Sequence, residues 1–120
     1  MQLRPEMSIY FGFNQSKLTE NSKSKLLRFA RILRGQGSGV KVELQGFTDS
    51  TGSPNYNHQL GLARAKTVRD YLISAGNLDP ANITQRSFGE MPKHQFLPNA
   101  IGKAAGQNRR VELAIKYNPQ

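Results

Sequence analysis

The sequence has no cysteine and no tryptophan, and its longest apolar runs are only a few residues. The absence of cysteine excludes disulfides and thiolate metal sites. A membrane-spanning helix needs about 20 consecutive apolar residues, and no segment supplies them. Residues 1–30 also lack the hydrophobic region of a signal peptide. These absences leave the cellular compartment open.

Acidic residues are scarce, because 8 Asp and Glu stand against 17 Lys and Arg, which gives a formal net charge of +9. A strongly basic domain favours polyanionic partners: nucleic acid, an anionic membrane surface or a carboxylate-bearing polymer. The alternative is a charge that serves solubility alone. The length of 120 residues predicts one domain over residues 1–120.

Hydrophobic periodicity predicts the order strand, helix, strand, helix, strand, strand. Strands linked by a helix are expected to pair in parallel, whereas the last two can pair only through a long connection. The predicted fold class is α+β, with a mixed four-stranded sheet and two main helices packed on one face. Strands are predicted at residues 9–13, 40–44, 83–88 and 110–117, with a first helix capped by Thr19 and ending before Gly35, and a second at about 59–75 capped by Asn57 or His58.

The second predicted helix has a charged residue on its apolar face. Arg64 falls four residues after Leu60 and four before Val68, and an unpaired guanidinium on an inward face would be costly. Asp49, in the loop that leads into this helix, is a candidate partner. The pair is either an internal salt bridge or a clamp for a ligand that bears an ammonium and a carboxylate. In the second case we expect Arg64 to face an open crevice.

Several motifs resemble those of a known family. Residues 46–65 read GFTDSTGSPNYNHQLGLARA, residues 108–112 read NRRVE, residues 11–14 read FGFN, and residues 89–92 read GEMP. Together they resemble the OmpA-like domain, the peptidoglycan-binding module of OmpA, Pal and the flagellar stator proteins MotB and MotY. The resemblance extends over about residues 9–115, which implies that the core of the domain lies there and that the ends are linker. Its central motif has many fixed positions at fixed spacing.

The resemblance implies non-catalytic binding of the stem peptide of Gram-negative peptidoglycan. In the family, the Asp of the TD motif and the Arg of the RA motif hold the free end of meso-diaminopimelate, and these positions are Asp49 and Arg64. Arg64 is also the residue that helical periodicity singles out. The other implied ligand-binding positions are Asn57 of the YN motif, Asn14 at the end of the first strand, the loop amides of Thr51 and Gly52, and either Arg109 or Arg110 of the NRRV motif.

The sequence also departs from the family pattern. Phe47 occupies the position before TD where the family often has His, and we interpret this as a packing change. Gly12 stands where the family often has Asp or Asn, which removes a side-chain contact. The turn at residues 90–92 is short and the segment at 92–108 is long, and we expect the long segment to reshape one wall of the pocket.

The resemblance further implies a periplasmic, peptidoglycan-associated domain near the outer membrane that anchors a larger periplasmic or outer-membrane protein or complex. The parent protein (lipoprotein, porin or stator), the oligomeric state and dimerisation stay open, and a membrane is involved only through the parent. We expect no enzyme activity and no cofactor. We also expect no metal site, since the only histidines, His58 and His94, lack metal-ligand spacing. The alternative is a nucleic-acid-binding domain that uses the basic first helix.

Overall fold

The computed structural model describes residues 2–12, 15–36, 40–48, 53–89 and 109–117. No helix in these ranges is both long and apolar enough to cross a membrane. The elements in chain order are β1 (Gln2–Tyr10), α1 (Glu20–Arg34), β2 (Val40–Phe47), α2 (Pro54–Ser74), a 3₁₀ turn (Pro80–Asn82), β3 (Ile83–Gly89) and β4 (Arg110–Tyr117).

The four strands form one sheet in the order β1-β4-β2-β3. Strands β2 and β3 are parallel, and β4 is antiparallel to both β1 and β2. The predicted mixed sheet of an α+β fold is confirmed. One predicted pairing is wrong: β1 does not pair with β2, because β4 lies between them. A central position suits β4, whose residues 110, 111 and 113–115 are buried on both faces of the sheet.

The hydrophobic core lies between the two helices and one face of the sheet. Helix α1 contributes one apolar stripe, and α2 contributes Ala65, Val68 and Leu72. From the sheet, alternate residues of β2 and β4 enter the same core, as a half-covered sheet requires. The buried members of the stripe and of the two strands are Leu26, Phe29, Ala30, Leu33, Val40, Val42, Leu44, Val111, Leu113 and Ile115.

The two helix starts were predicted with unequal success. Thr19 caps α1, because its hydroxyl accepts a hydrogen bond from the Ser22 amide at 3.0 Å, which confirms the prediction. Helix α2 begins earlier than predicted, at Pro54, where Ser53 is the cap and accepts from the Tyr56 amide at 3.1 Å. The predicted caps at Asn57 or His58 are therefore wrong. Proline is favoured in the first turn of a helix, since that position needs no amide donor.

Strand β1 also differs from its prediction. It ends at Tyr10, whereas the prediction centred on residues 9–13. Its extent follows from its partner: β1 pairs with β4 from Gln2 opposite Tyr117 to Tyr10 opposite Arg110. The Phe11 amide extends this pairing by donating to the Arg109 carbonyl at 2.8 Å. The β1 chain therefore reaches the same end of the sheet as the last residues of β2.

Candidate functional site

Helix α2 lies unusually close to the end of β2. A Cβ atom built on Gly46 would be 2.1 Å from the carbonyl oxygen of Gly61, and one built on Gly61 would be 2.3 Å from Oγ of Ser87. The Ser87 hydroxyl donates to the His58 carbonyl at 2.8 Å, which attaches the same helical turn to β3. Only glycine permits this approach. It fixes the position of the N-terminal half of α2, and with it the position of Arg64.

The Arg64 side chain joins three segments that are distant in the sequence. Its Nε donates to the Gln15 carbonyl at 2.7 Å, Nη1 donates to the Phe47 carbonyl at 3.1 Å, and Nη2 donates to the Gly12 carbonyl at 3.2 Å. The guanidinium carbon also lies 5.4 Å from the centroid of the Phe11 ring. The chain after β1, the end of β2 and helix α2 thus converge on one cation.

Arg64 faces inward as helical periodicity predicted, but it is not open to solvent. Its side chain is 0% exposed. The expectation that it faces an open crevice is wrong, because the chain segments on either side supply carbonyl acceptors that enclose the guanidinium. A buried cation is stabilised by such charge-assisted hydrogen bonds. In this structure the hydrogen bonds of Arg64 connect α2 to the chain after β1 and to the end of β2.

Asn57 lies on the same inward face of α2 as Arg64. The two residues are seven positions apart, which is two helical turns or about 10 Å along the axis. Asn57 is buried, and so is Thr48, the residue that follows β2. The close contact between Gly46 and Gly61 therefore fixes the positions of β2 and α2, the elements beside these polar groups.

The structure separates the two candidate arginines of the NRRV motif. Arg109 Nε donates to the Phe11 carbonyl at 3.2 Å, next to the Gly12 carbonyl that accepts from Arg64. Arg110 instead lies on the sheet face away from the helices, since the following residue, Val111, is in the core. The two arginines therefore lie in different surroundings and contact different residues.

On that opposite face, four side chains form a stack across three strands. Arg110 lies 3.9 Å from the Phe47 ring centroid, the Phe47 and Phe88 rings stack at 5.2 Å, and Arg86 lies 4.8 Å from the Phe88 ring. Arg110 also forms a 2.6 Å ion pair with Glu112. Phe47 is buried in this stack, which confirms its interpretation as a packing residue. Its backbone carbonyl, on the other hand, accepts from Arg64.

Four predicted ligand-binding residues lie outside the described residues: Asp49, Thr51, Gly52 and Asn14. Their roles, like the ligand contacts of the others, stay predictions. Within the described ranges, no group of three or more His, Cys, Asp or Glu side chains is arranged to hold a metal ion.

A family model described as the OmpA family matches residues 10–110. The chain belongs to the OmpA family. The matched range contains Arg64, its three carbonyl partners and both arginines of the NRRV motif.

Relatives within the OmpA family agree in sequence and in fold. The chain is 38% identical over 114 residues to the peptidoglycan-associated lipoprotein of Pseudomonas aeruginosa, covering 92% of this chain and 63% of that protein. It is 29% identical to outer membrane porin F of the same organism, covering 95% of this chain and 32% of that protein. The chain thus spans about a third to two-thirds of the length of these relatives.

Solved structures of OmpA-family relatives have the same architecture. The peptidoglycan-associated lipoprotein from Burkholderia pseudomallei superposes with a TM-score of 0.82 at 28% identity, covering 92% of this chain and 91% of that one. The C-terminal domain of Helicobacter pylori MotB superposes with a TM-score of 0.83 at 22% identity, covering 94% and 86%. At 22% identity, the match to the MotB domain shows that the fold is shared.

Sequence reasoning missed the residues that position the OmpA-family site. Gly46 and Gly61 both stand in the quoted motif, but no role was assigned to them. A glycine at a strand end and another in a helix interior, where glycine is unfavourable by about 1 kcal/mol, are a signal of close backbone approach. The carbonyl acceptors of Arg64 left no such signal, because every residue has a carbonyl.

Proposed function

We propose that this domain binds peptidoglycan without catalysis, through the meso-diaminopimelate of the stem peptide, and so anchors a larger periplasmic or outer-membrane protein or complex to the cell wall. The observation that carries the proposal is the buried Arg64 guanidinium at the junction of β1, β2 and α2. Membership of the OmpA family, with relatives named peptidoglycan-associated lipoproteins, supports it.

The free carboxylate of diaminopimelate is the ligand group assigned to Arg64. Because Arg64 is enclosed, we infer that the carboxylate replaces one of its carbonyl partners. The bond to the Gly12 carbonyl is the longest of the three at 3.2 Å, and Gly12 is itself exposed. A hydrogen bond between two charged groups is stronger than one to a neutral carbonyl, so this exchange is favourable. The Gln15 and Phe47 carbonyls then keep the guanidinium in place.

The ligand ammonium is assigned to Asp49, whose carboxylate accepts hydrogen bonds from it. Asn57 supplies a polar side chain on the same helix face as Arg64, and the backbone amides of Thr51 and Gly52 supply donors for the carboxylate. Asn14 is assigned to the wall of the pocket that follows β1. These assignments rest on the family motif.

Of the two NRRV arginines, we assign Arg109 to the ligand pocket. Its guanidinium donates to the Phe11 carbonyl beside Gly12, on the side of the sheet that carries Arg64. Arg110 is assigned a structural role, since Glu112 and the Phe47 ring hold it on the opposite face.

Ligand selectivity tests the proposal. Lysine lacks the terminal carboxylate of diaminopimelate, and a hydrogen bond to a charged group contributes about 1.5–3 kcal/mol. We therefore expect a diaminopimelate-type muropeptide to bind at least about tenfold more tightly than a lysine-type one, since about 1.4 kcal/mol is tenfold. Isothermal titration calorimetry with the two peptides measures this ratio. Equal affinities would remove Arg64 from its assigned role.

Three single variants and one double variant, Asp49→Ala with Arg64→Ala, test which residue holds each ligand group. Arg64→Lys, which retains the charge but loses the planar fork, and Arg64→Ala should both reduce the preference for diaminopimelate. Asp49→Ala should weaken both peptides together, and the Asp49 and Arg64 effects should be non-additive because both residues hold one small group. The matched control is Arg110→Gln, which changes a second buried arginine and should leave the ratio unchanged. A ratio that falls equally in Arg110→Gln would indicate loss of fold instead of loss of contact.

The proposal includes a periplasmic, peptidoglycan-associated location near the outer membrane. The relatives described above carry names of outer-membrane, peptidoglycan-associated and MotB proteins, and none of those names refers to nucleic acid. The nucleic-acid alternative therefore receives no support. Recovery of the domain with purified peptidoglycan sacculi, competed by free diaminopimelate-type peptide, tests wall binding directly.

A further inference from the structure

The solvent-facing side of α1 is strongly basic. After Glu20, in its first turn, the helix contains no acidic residue, while it carries five Lys and Arg. Lys23 forms a 3.1 Å ion pair with Glu20. No ion pair forms with any of the next three cations, Lys25, Arg28 and Arg31, within the described part of the chain. The middle and the end of α1 therefore present uncompensated positive charge to solvent.

Two aliphatic side chains lie among these cations. Ile32 is 60% exposed and Leu27 is 37% exposed. Ile32 follows Arg28 by four residues, and Leu27 precedes Arg31 by four, so each is adjacent to an arginine on the helix surface. These side chains leave water when the helix docks on a partner that has an apolar layer beneath its charged groups. A nucleic-acid backbone offers phosphates but no such layer for these two side chains.

The basic end of α1 lies far from the candidate peptidoglycan site. Arg34 donates to the carbonyl of Gly76, just beyond the C-terminal end of α2, whereas the candidate site lies near the N-terminal half of the same helix. Twelve residues separate Arg64 from Gly76, or about 18 Å along a helix. A partner bound to this end of α1 would therefore not cover the Arg64 junction.

We propose that the exposed face of α1 (Lys25, Leu27, Arg28, Arg31, Ile32 and Arg34) docks on an anionic phospholipid surface. The arginines contact lipid phosphates, and Ile32 and Leu27 enter the boundary between headgroups and acyl chains. This combination of basic and aliphatic side chains is the chemistry of helices that lie in a membrane interface. The inference is independent of the proposed peptidoglycan function, and the two sites together would let one domain contact wall and membrane at once.

The test is co-sedimentation of the whole chain with vesicles. Vesicles of phosphatidylcholine and phosphatidylglycerol in a two-to-one ratio should bind the domain at about 0.1 M salt and release most of it at about 1 M, where the screening length falls to about 3 Å. Vesicles of phosphatidylcholine alone should bind little. Absence of binding to the anionic vesicles at the lower salt concentration would overturn the proposal.

Two double variants that remove equal charge locate the surface. Arg28→Gln with Arg31→Gln should weaken vesicle binding at least about tenfold, because each basic residue near an anionic surface contributes measurably. The control is Lys66→Gln with Arg69→Gln on α2, which lowers the net charge by the same two units and should weaken binding about threefold or less. Glutamine keeps helix propensity in both. Equal losses in the two double variants would assign binding to net charge and overturn the docking of α1.

A single variant separates lipid from other polyanions. Ile32→Gln leaves the charge unchanged and should weaken vesicle binding about threefold to tenfold, because the side chain no longer enters the apolar layer. The same variant should leave weak binding to duplex DNA unchanged. Full vesicle binding by Ile32→Gln, or DNA binding as tight as vesicle binding, would overturn the assignment to lipid. Circular dichroism confirms that each variant is folded.

Discussion

Among the arginines whose side chains the structure describes, two are buried, and they are stabilised in different ways. Arg64 is 0% exposed and donates to backbone carbonyls that lie 49, 52 and 17 residues away in the sequence. Arg110 is 3% exposed and contacts the carboxylate of Glu112, two residues away, and the ring of Phe47 on the neighbouring strand. One arginine connects distant segments, and the other belongs to a local cluster on the sheet.

The difference shows which arginine controls the geometry of the site. Removing Arg110 leaves the backbone of β2 and β4 held by the hydrogen bonds of the sheet. Removing Arg64 leaves three carbonyls, from the chain after β1 and from the end of β2, without their common donor, and unsatisfied buried polar groups are costly. Phe47 joins the two regions, because its side chain packs with Arg110 and its carbonyl accepts from Arg64. The side-chain stack on the sheet face without helices therefore helps to position the Phe47 carbonyl that accepts from Arg64.

Replacing Arg64 should have the largest effect on stability. We expect Arg64→Ala to lower the free energy of unfolding by about 3–5 kcal/mol, because a buried charged network loses its central member. Arg64→Lys should lower it by about 2 kcal/mol, since one ammonium group cannot reach three carbonyls in a planar arrangement. Urea unfolding followed by circular dichroism measures both. A loss below about 1 kcal/mol for Arg64→Ala would contradict the connecting role.

Gly46→Ala should come next. The new Cβ would meet the Gly61 backbone at 2.1 Å, so α2 must shift away from β2 and carry Arg64 with it. Overpacking of this kind costs about 1–3 kcal/mol. The matched control is Gly35→Ala, because a Cβ there is 3.4 Å from its nearest neighbour and φ is −78°. This control should be neutral or slightly stabilising. Equal effects of the two substitutions on the melting temperature would show that the close approach has no energetic importance.

Arg110→Gln should destabilise the domain by about 1–2 kcal/mol, through loss of the Glu112 ion pair and of the contact with the Phe47 ring. Unlike Arg64→Ala, it should leave the ratio of the two muropeptide affinities unchanged. A double-mutant cycle with Glu112→Gln separates the ion pair from the aromatic contact. A muropeptide ratio that changes with Arg110→Gln would remove the distinction between the two arginines.

Arg86→Gln should have the smallest effect. Arg86 lies at the outer end of the stack, on the edge strand β3, and is exposed. Cation–π contacts at exposed positions contribute about 0.5–1 kcal/mol, so the loss should not exceed that range. The comparison with Arg110→Gln measures how burial changes the same kind of contact. A larger loss for Arg86→Gln than for Arg110→Gln would show that burial is not the deciding variable.

Much of the local structure was predictable. The stripe of α1 follows from the spacing of Leu26, Phe29 and Leu33, and its start follows from the side chain of Thr19, because both depend on residues within a few positions of each other. The start of α2 was predicted too late, because the prediction placed Pro54 in the loop, whereas a proline in the first turn is favourable. These features need only short-range information.

The sequence by itself determined the family, the fold class, the basic charge and the inward orientation of Arg64. Only the tertiary structure decided which strand lies at the centre of the sheet, which carbonyls surround Arg64, and that Gly46 meets Gly61. Periodicity reports which face of an element is buried, since that depends on neighbouring residues. It carries no information about which distant segment covers that face, because every residue has a backbone carbonyl and a glycine does not specify which backbone approaches it.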